Sequence, residues 1–153
     1  MGWFGRDQEV AGESALKACA IDSSVAVKWF SEEADTGKAL ALREAAFAGE
    51  CRLEAPDLLL YEIGNALRFN SRLEAGDVVL ALEALIGIGI VFHPAEGPLL
   101  SSAVELAFRH GLTVYDGCFV ALAGILGVPL ITADEKLIEK TAGRKGLIRL
   151  SDL

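Results

Sequence analysis

Short, almost wholly apolar segments recur along this chain, each separated from the next by a helical stretch, and that alternation limits the folds open to it. The candidate strands are Cys19-Ala-Ile21, Arg52–Ala55, Ile90-Val-Phe92, Leu112-Thr-Val114, Val128–Thr132 and Leu147–Leu150. Strands this apolar need cover on both faces, and strands joined through helices run parallel. The intervening stretches predict helices over Val25–Phe30, Ala34–Gly49, Leu58–Arg72, Gly76–Ile86, Pro98–His110, Asp116–Leu126 and Glu135–Ala142. Asp22-Ser-Ser and Asp57 read as helix caps, and His110-Gly111 as a basic-then-glycine helix end. The expected architecture is a single three-layer α/β domain around a mostly parallel sheet of about five strands.

A length of 153 residues suits one domain, and no Pro/Gly/Ser-rich linker divides it. A 52% hydrophobic content with 24% charged residues excludes a disordered chain. With 14 basic and 22 acidic residues the net charge is −8, which disfavours a basic nucleic-acid-binding patch of the usual kind. Cys19, Cys51 and Cys118 are an odd, scattered set that suits a reducing compartment. Residues 1–18 are set apart as an N-terminal extension without the apolar core of a signal peptide, and residues 19–153 form the domain. The longest uncharged run, Gly117–Ala133, is shorter than a usual membrane span and carries Pro129. A cytoplasmic protein without a membrane partner is expected. So high an apolar content also predicts a surface covered by another protein or a second copy.

The acids are placed non-randomly. Three candidate strands run into one: Cys19-Ala-Ile into Asp22, Leu112-Thr-Val-Tyr into Asp116, and Leu130-Ile-Thr-Ala into Asp134. Ligands of open parallel sheets bind outside the carboxyl ends of the strands. Helix capping explains any single Asp as well; the three together favour a site. Glu62 is a fourth acid, beside the apolar stripe of the third helix and without a basic residue three or four positions away. A divalent cation would satisfy all four, and oxygen-only ligands select Mg²⁺ or Mn²⁺. His93 and His110 are too far apart in sequence, and the cysteines too scattered, for zinc. Gly87-Ile-Gly89 follows a helix and precedes a strand, the wrong order for a dinucleotide loop. Cys118 reads as a buried small side chain rather than a nucleophile.

Four segments resemble the motifs of the PIN domain family, as found in VapC-type ribonuclease toxins. They are Ile21-Asp-Ser-Ser-Val-Ala-Val-Lys-Trp29, Pro56-Asp-Leu-Leu-Leu-Tyr-Glu62-Ile-Gly-Asn65-Ala-Leu67, Val114-Tyr-Asp116-Gly-Cys-Phe-Val-Ala-Leu-Ala123 and Leu130-Ile-Thr-Ala-Asp134. They come in family order across residues 19 to 151. Gly117 and Cys118 stand where the family often has Ala and an aromatic, with Phe119 coming next, and the segment before Cys19 is longer than usual. The resemblance implies a three-layer α/β/α PIN-like fold, Mg²⁺- or Mn²⁺-dependent hydrolysis of RNA phosphodiesters, a homodimer, and inhibition by a cognate antitoxin protein. It implies Asp22, Glu62, Asp116 and Asp134 as catalytic, metal-binding acids, Ser24 and Thr132 as hydroxyls orienting them, and Asn65 as a supporting residue behind them.

Two alternatives stay open at this point. One is a PIN nuclease of RNA processing or structured DNA that has no antitoxin. The other is a non-catalytic PIN scaffold, against which the retention of all four acids argues. Lys28, Arg68 and Arg72 are candidates for RNA-backbone contacts or solvated surface charges, and Trp29 for a stacking platform or a packed residue.

Overall fold

The computed structural model of the protein describes residues 16–142 and 144–153. The N-terminal extension lies outside them except for its last three residues, and Ala18 already belongs to the first strand. Five strands form the sheet: β1 (Ala18–Ile21), β2 (Arg52–Pro56), β3 (Val91–His93), β4 (Leu130–Thr132) and β5 (Leu147–Arg149). Their order is β3-β2-β1-β4-β5, and each neighbouring pair is parallel. The expectation of a mostly parallel sheet thus sharpens to an entirely parallel one among the described residues. Central β1 is buried along its whole length, as a strand covered on both faces must be.

The helices are α1 (Ser23–Ala26, continued by a 3₁₀ turn over Val27–Trp29), α2 (Thr36–Phe47), α3 (Leu58–Arg68), α4 (Ala75–Gly87), α5 (Gly97–His110), α6 (Val114–Leu126) and α7 (Glu135–Lys140). Several ends follow from local chemistry. Asn70 ends the third helix sooner than Arg72, because its side-chain oxygen accepts from the Arg72 N–H at 3.0 Å and draws the backbone into a turn. Glu74 and Asp77 form a capping box at the start of α4. Gly111 closes α5 with φ +64°, a conformation most side chains resist.

The strand expected at Leu112–Val114 does not form. Thr113 caps α6 instead, its hydroxyl accepting from the Asp116 N–H at 3.0 Å, so α6 begins at Val114 and α5 and α6 pack as a helical hairpin. Asp57 does not cap α3 with its side chain. Its N–H donates to the carbonyl of His93 at 2.9 Å and ties the end of β2 to β3. The apolar run was real, but a strand also needs a neighbour to complete its ladder.

Trp29 is core, with its indole N–H donating to the Ala39 carbonyl at 2.7 Å. Lys28 is likewise buried and pairs with Glu33 at 3.2 Å, so it is neither a solvated charge nor a phosphate contact. Glu54, in the middle of β2, is buried too, and its two oxygens are held by Arg52 and by His93 (2.6 Å) from β3. A buried carboxylate is tolerable only when paired in this way.

The chain winds outward from β1 through β2 to β3, then returns to add β4 and β5 on the other side. The crossovers therefore diverge between β1 and β4, and a crevice opens at the carboxyl ends of these two strands.

Candidate active site

Asp22 follows β1 directly and stands at that crevice. It is 6% exposed, and its side chain caps α1 by accepting from the Ser24 N–H at 3.1 Å. The Ser24 hydroxyl donates to the same oxygen, Oδ1, and the Thr132 hydroxyl donates to Oδ2. Thr132 is fully buried at the end of β4, while Ser24 Oγ accepts from the Ala133 N–H at 2.8 Å. Three donors thus fix one carboxylate across the β1–β4 boundary. Burial pushes the Asp22 carboxyl up to about 6, against the opposing pull of the Ser24 and Thr132 hydrogen bonds.

Asp134 lies two residues beyond β4, where its N–H donates to Thr132 Oγ1 at 3.0 Å. It caps α7 by accepting from the Leu137 N–H at 3.1 Å. Capping and site membership coincide for Asp22 and Asp134, so the two readings of an acid at a strand end are not exclusive. Asp116 reaches the crevice differently, from the first turn of α6. Glu62, half-buried on α3, accepts from the Ser23 hydroxyl at 3.1 Å.

The four acids form an electrostatic string. The charge of Asp134 raises the carboxyls of both Asp22 and Asp116, and that of Asp116 raises Glu62; in each, burial is the largest cause of the rise. Lys140, at the end of α7, is the cation that draws Asp116 back down. Its ammonium is held by the Gly111 carbonyl at 3.1 Å. Among the described residues none of the four acids makes an ion pair, and no three His, Cys, Asp or Glu side chains close into a finished metal cage.

That arrangement fits a hard, hydrated cation. Mg²⁺ takes few protein ligands and keeps several waters, so it suits carboxylates spread around a crevice. The donors are all oxygen, and three of these carboxyls are raised by burial first and by one another's charge second, both of which a divalent cation would offset.

Asn65 is exposed on α3, one turn after Glu62, and bonds to none of the four acids. Arg68 and Arg72 are exposed, with the Arg68 guanidinium 5.0 Å from the centre of the Phe69 ring. Cys118 is buried, and its thiol is pushed up first by burial and then by the charge of Glu62, the opposite of what activates a nucleophile. Two contributors escaped the sequence reading, Ser23 and Thr113. Both are hydroxyls beside helix starts, and the signal was in Asp22-Ser-Ser: adjacent serines point about 100° apart on a helix, so each serves a different acid.

The PIN domain family matches residues 19–143, and the chain belongs to that family. Among its relatives, Ribonuclease VapC3 of Pyrobaculum aerophilum is 33% identical over 131 residues, which span 82% of this chain and 95% of that protein. Exonuclease VapC9 of the same organism is 36% identical over 86 residues, covering 56% of this chain and 65% of that protein. The crystal structure of PAE2754 from Pyrobaculum aerophilum superposes with a TM-score of 0.61 at 27% identity, over 92% of this chain and 94% of that one.

Proposed function

We propose that the protein is a Mg²⁺- or Mn²⁺-dependent endoribonuclease, the toxin of a VapBC-type toxin–antitoxin pair. The observation that carries this reading is the string Asp22–Asp134–Asp116–Glu62, four carboxylates at a topological switch point with no ion pair to any of them among the described residues. The identity to a relative named as a ribonuclease over 95% of that protein supports the substrate class.

When bound, the metal would supply a water of lowered pKa and charge neutralisation at the scissile phosphate. The residues of the chain do the positioning. Ser24 and Thr132 hold Asp22 in one rotamer, Ser23 holds Glu62, and the helix starts of α6 and α7 fix Asp116 and Asp134. Lys140 leaves a positive charge beside Asp116, where a phosphate would arrive. No histidine is among these groups, which suits a hydrolysis that does not rely on imidazole acid–base catalysis.

The protein works as a homodimer held in check by an antitoxin. In support, two apolar faces stand open: Leu100, Val104 and Phe108 at four-residue spacing on α5, and Phe69, Val79 and Leu80 around the α3–α4 hairpin.

The test is cleavage of circular single-stranded RNA with Mg²⁺ or Mn²⁺. Linearisation is expected, with loss of at least about a hundredfold in Asp22→Asn and Asp116→Asn. Undiminished activity in EDTA overturns the metal, and full activity in both variants overturns the site. The exonuclease relative favours end-directed cleavage as the second reading; degradation of linear RNA with the circle left intact would select it.

A further inference from the structure

The chain contains two tyrosines, and each stands immediately before an acid of the site: Tyr61 before Glu62, and Tyr115 before Asp116. Glu62 and Asp116 are themselves close enough for the charge of one to raise the other. Both rings are in solvent, Tyr61 at 76% and Tyr115 at 62% exposure, and neither phenol hydrogen-bonds to another described residue. Phe47, Phe69 and Phe108 are exposed as well, but only the two tyrosines adjoin acids of the site. Successive residues of a helix point about 100° apart, so an acid turned into the crevice leaves the residue before it on the rim.

We infer that Tyr61 and Tyr115 are stacking platforms for unpaired nucleobases, holding the strand whose phosphodiester the acids meet. This deepens the proposed function and rests on it. A chain of net charge −8 gains little from long-range phosphate attraction, so beyond Lys140 and the metal its hold on RNA needs contacts indifferent to charge. Base–aromatic stacking is such a contact, and it is open only to bases freed from a duplex. Tyrosine supplies it with two rotatable angles, at small entropic loss.

The experiment measures fluorescence anisotropy of the full chain with Mg²⁺, using an oligoadenylate of about a dozen nucleotides and an abasic oligomer of equal length. Tyr61→Ala and Tyr115→Ala are each expected to weaken oligoadenylate binding by about fivefold to a hundredfold, with Tyr→Phe close to wild type and the abasic oligomer unaffected by any variant. Unchanged oligoadenylate binding in both Ala variants, or an equal loss on the abasic oligomer, overturns the inference. So does a shift in the Ala variants' oligomeric state on size exclusion, because the rings would then belong to a protein interface. Wild-type protein that hydrolyses no RNA while binding it as described would overturn the proposed function and leave the stacking role standing.

Discussion

Burying a carboxylate against two hydroxyls, as the fold does with Asp22, sets a charge where water cannot relieve it. The carboxyl sits at about 6 in the folded chain against 3.8 as its ordinary value. An acid raised by folding stabilises the native state fully below its unfolded pKa and loses that contribution as pH climbs through the folded one. Metal-free protein is therefore expected to lose stability between about pH 4 and pH 6 through this group, by up to about 3 kcal/mol. Glu62 and Asp116, also raised, add in the same direction. Asp22→Asn removes the share of this group: its amide oxygen still accepts from Ser24, and its amide nitrogen donates to Thr132 once that hydroxyl turns. Urea unfolding of both proteins in EDTA at pH 5 and pH 7 checks this, with the variant the more stable at pH 7. Added Mg²⁺ is expected to stabilise wild type and leave the variant nearly unmoved.

Among the elements, the α5–α6 hairpin shows why one departure from the family pattern is tolerated. A Cβ on Gly117 would lie 2.4 Å from the Ala103 carbonyl oxygen, backbone against backbone, so the two helices approach as closely as they do only because no side chain is there. Gly117→Ala is expected to destabilise by about 1–3 kcal/mol. Gly37, near the start of α2, meets nothing within 4 Å, and Gly37→Ala is expected to stabilise by about 0.4–1 kcal/mol. Thermal melts of the two variants should move in opposite directions.

The sequence carried the elements whose signal is local. Buried β1, the Gly111 stop and the acids at the ends of β1 and β4 were legible because apolar runs, caps and glycines act within a few residues. What failed depends on how elements pack against one another rather than on the local pattern. Leu112–Val114 resembles a strand until α5 and α6 pair, and the place of Lys28 in the core is set by Glu33 and the surrounding packing. Buried Glu54 in β2 is met by Arg52 two residues before it and by His93, 39 residues later. Asp116 was assigned to the site for the wrong local reason: it stands in the first turn of a helix, not at the end of a strand.

For the molecule as a whole, the net charge of −8 and the acid string act on RNA together. At physiological salt, charges are screened over about 8 Å, so the four acids dominate what a phosphate meets at the crevice. Asp116→Asn combined with Asp134→Asn is expected to bind RNA more tightly than wild type in EDTA and to cleave none in Mg²⁺. Anisotropy titrations paired with cleavage assays check both. Weaker metal-free binding by the double variant would show that the acids do not set the repulsion.

The strand order carries a consequence for timing. β1 is made before the other four strands, yet one of its two neighbours is β4, paired at Ala20 with Leu130 and at Ile21 with Ile131. The Thr132 hydroxyl that secures Asp22, and Asp134 itself, arrive with that late strand. At synthesis rates of about 5–20 residues per second, the first acid waits on the order of ten seconds for the last. A chain made only as far as β3 has the start of the crevice but not its second wall, so the site cannot assemble before β4 has been made.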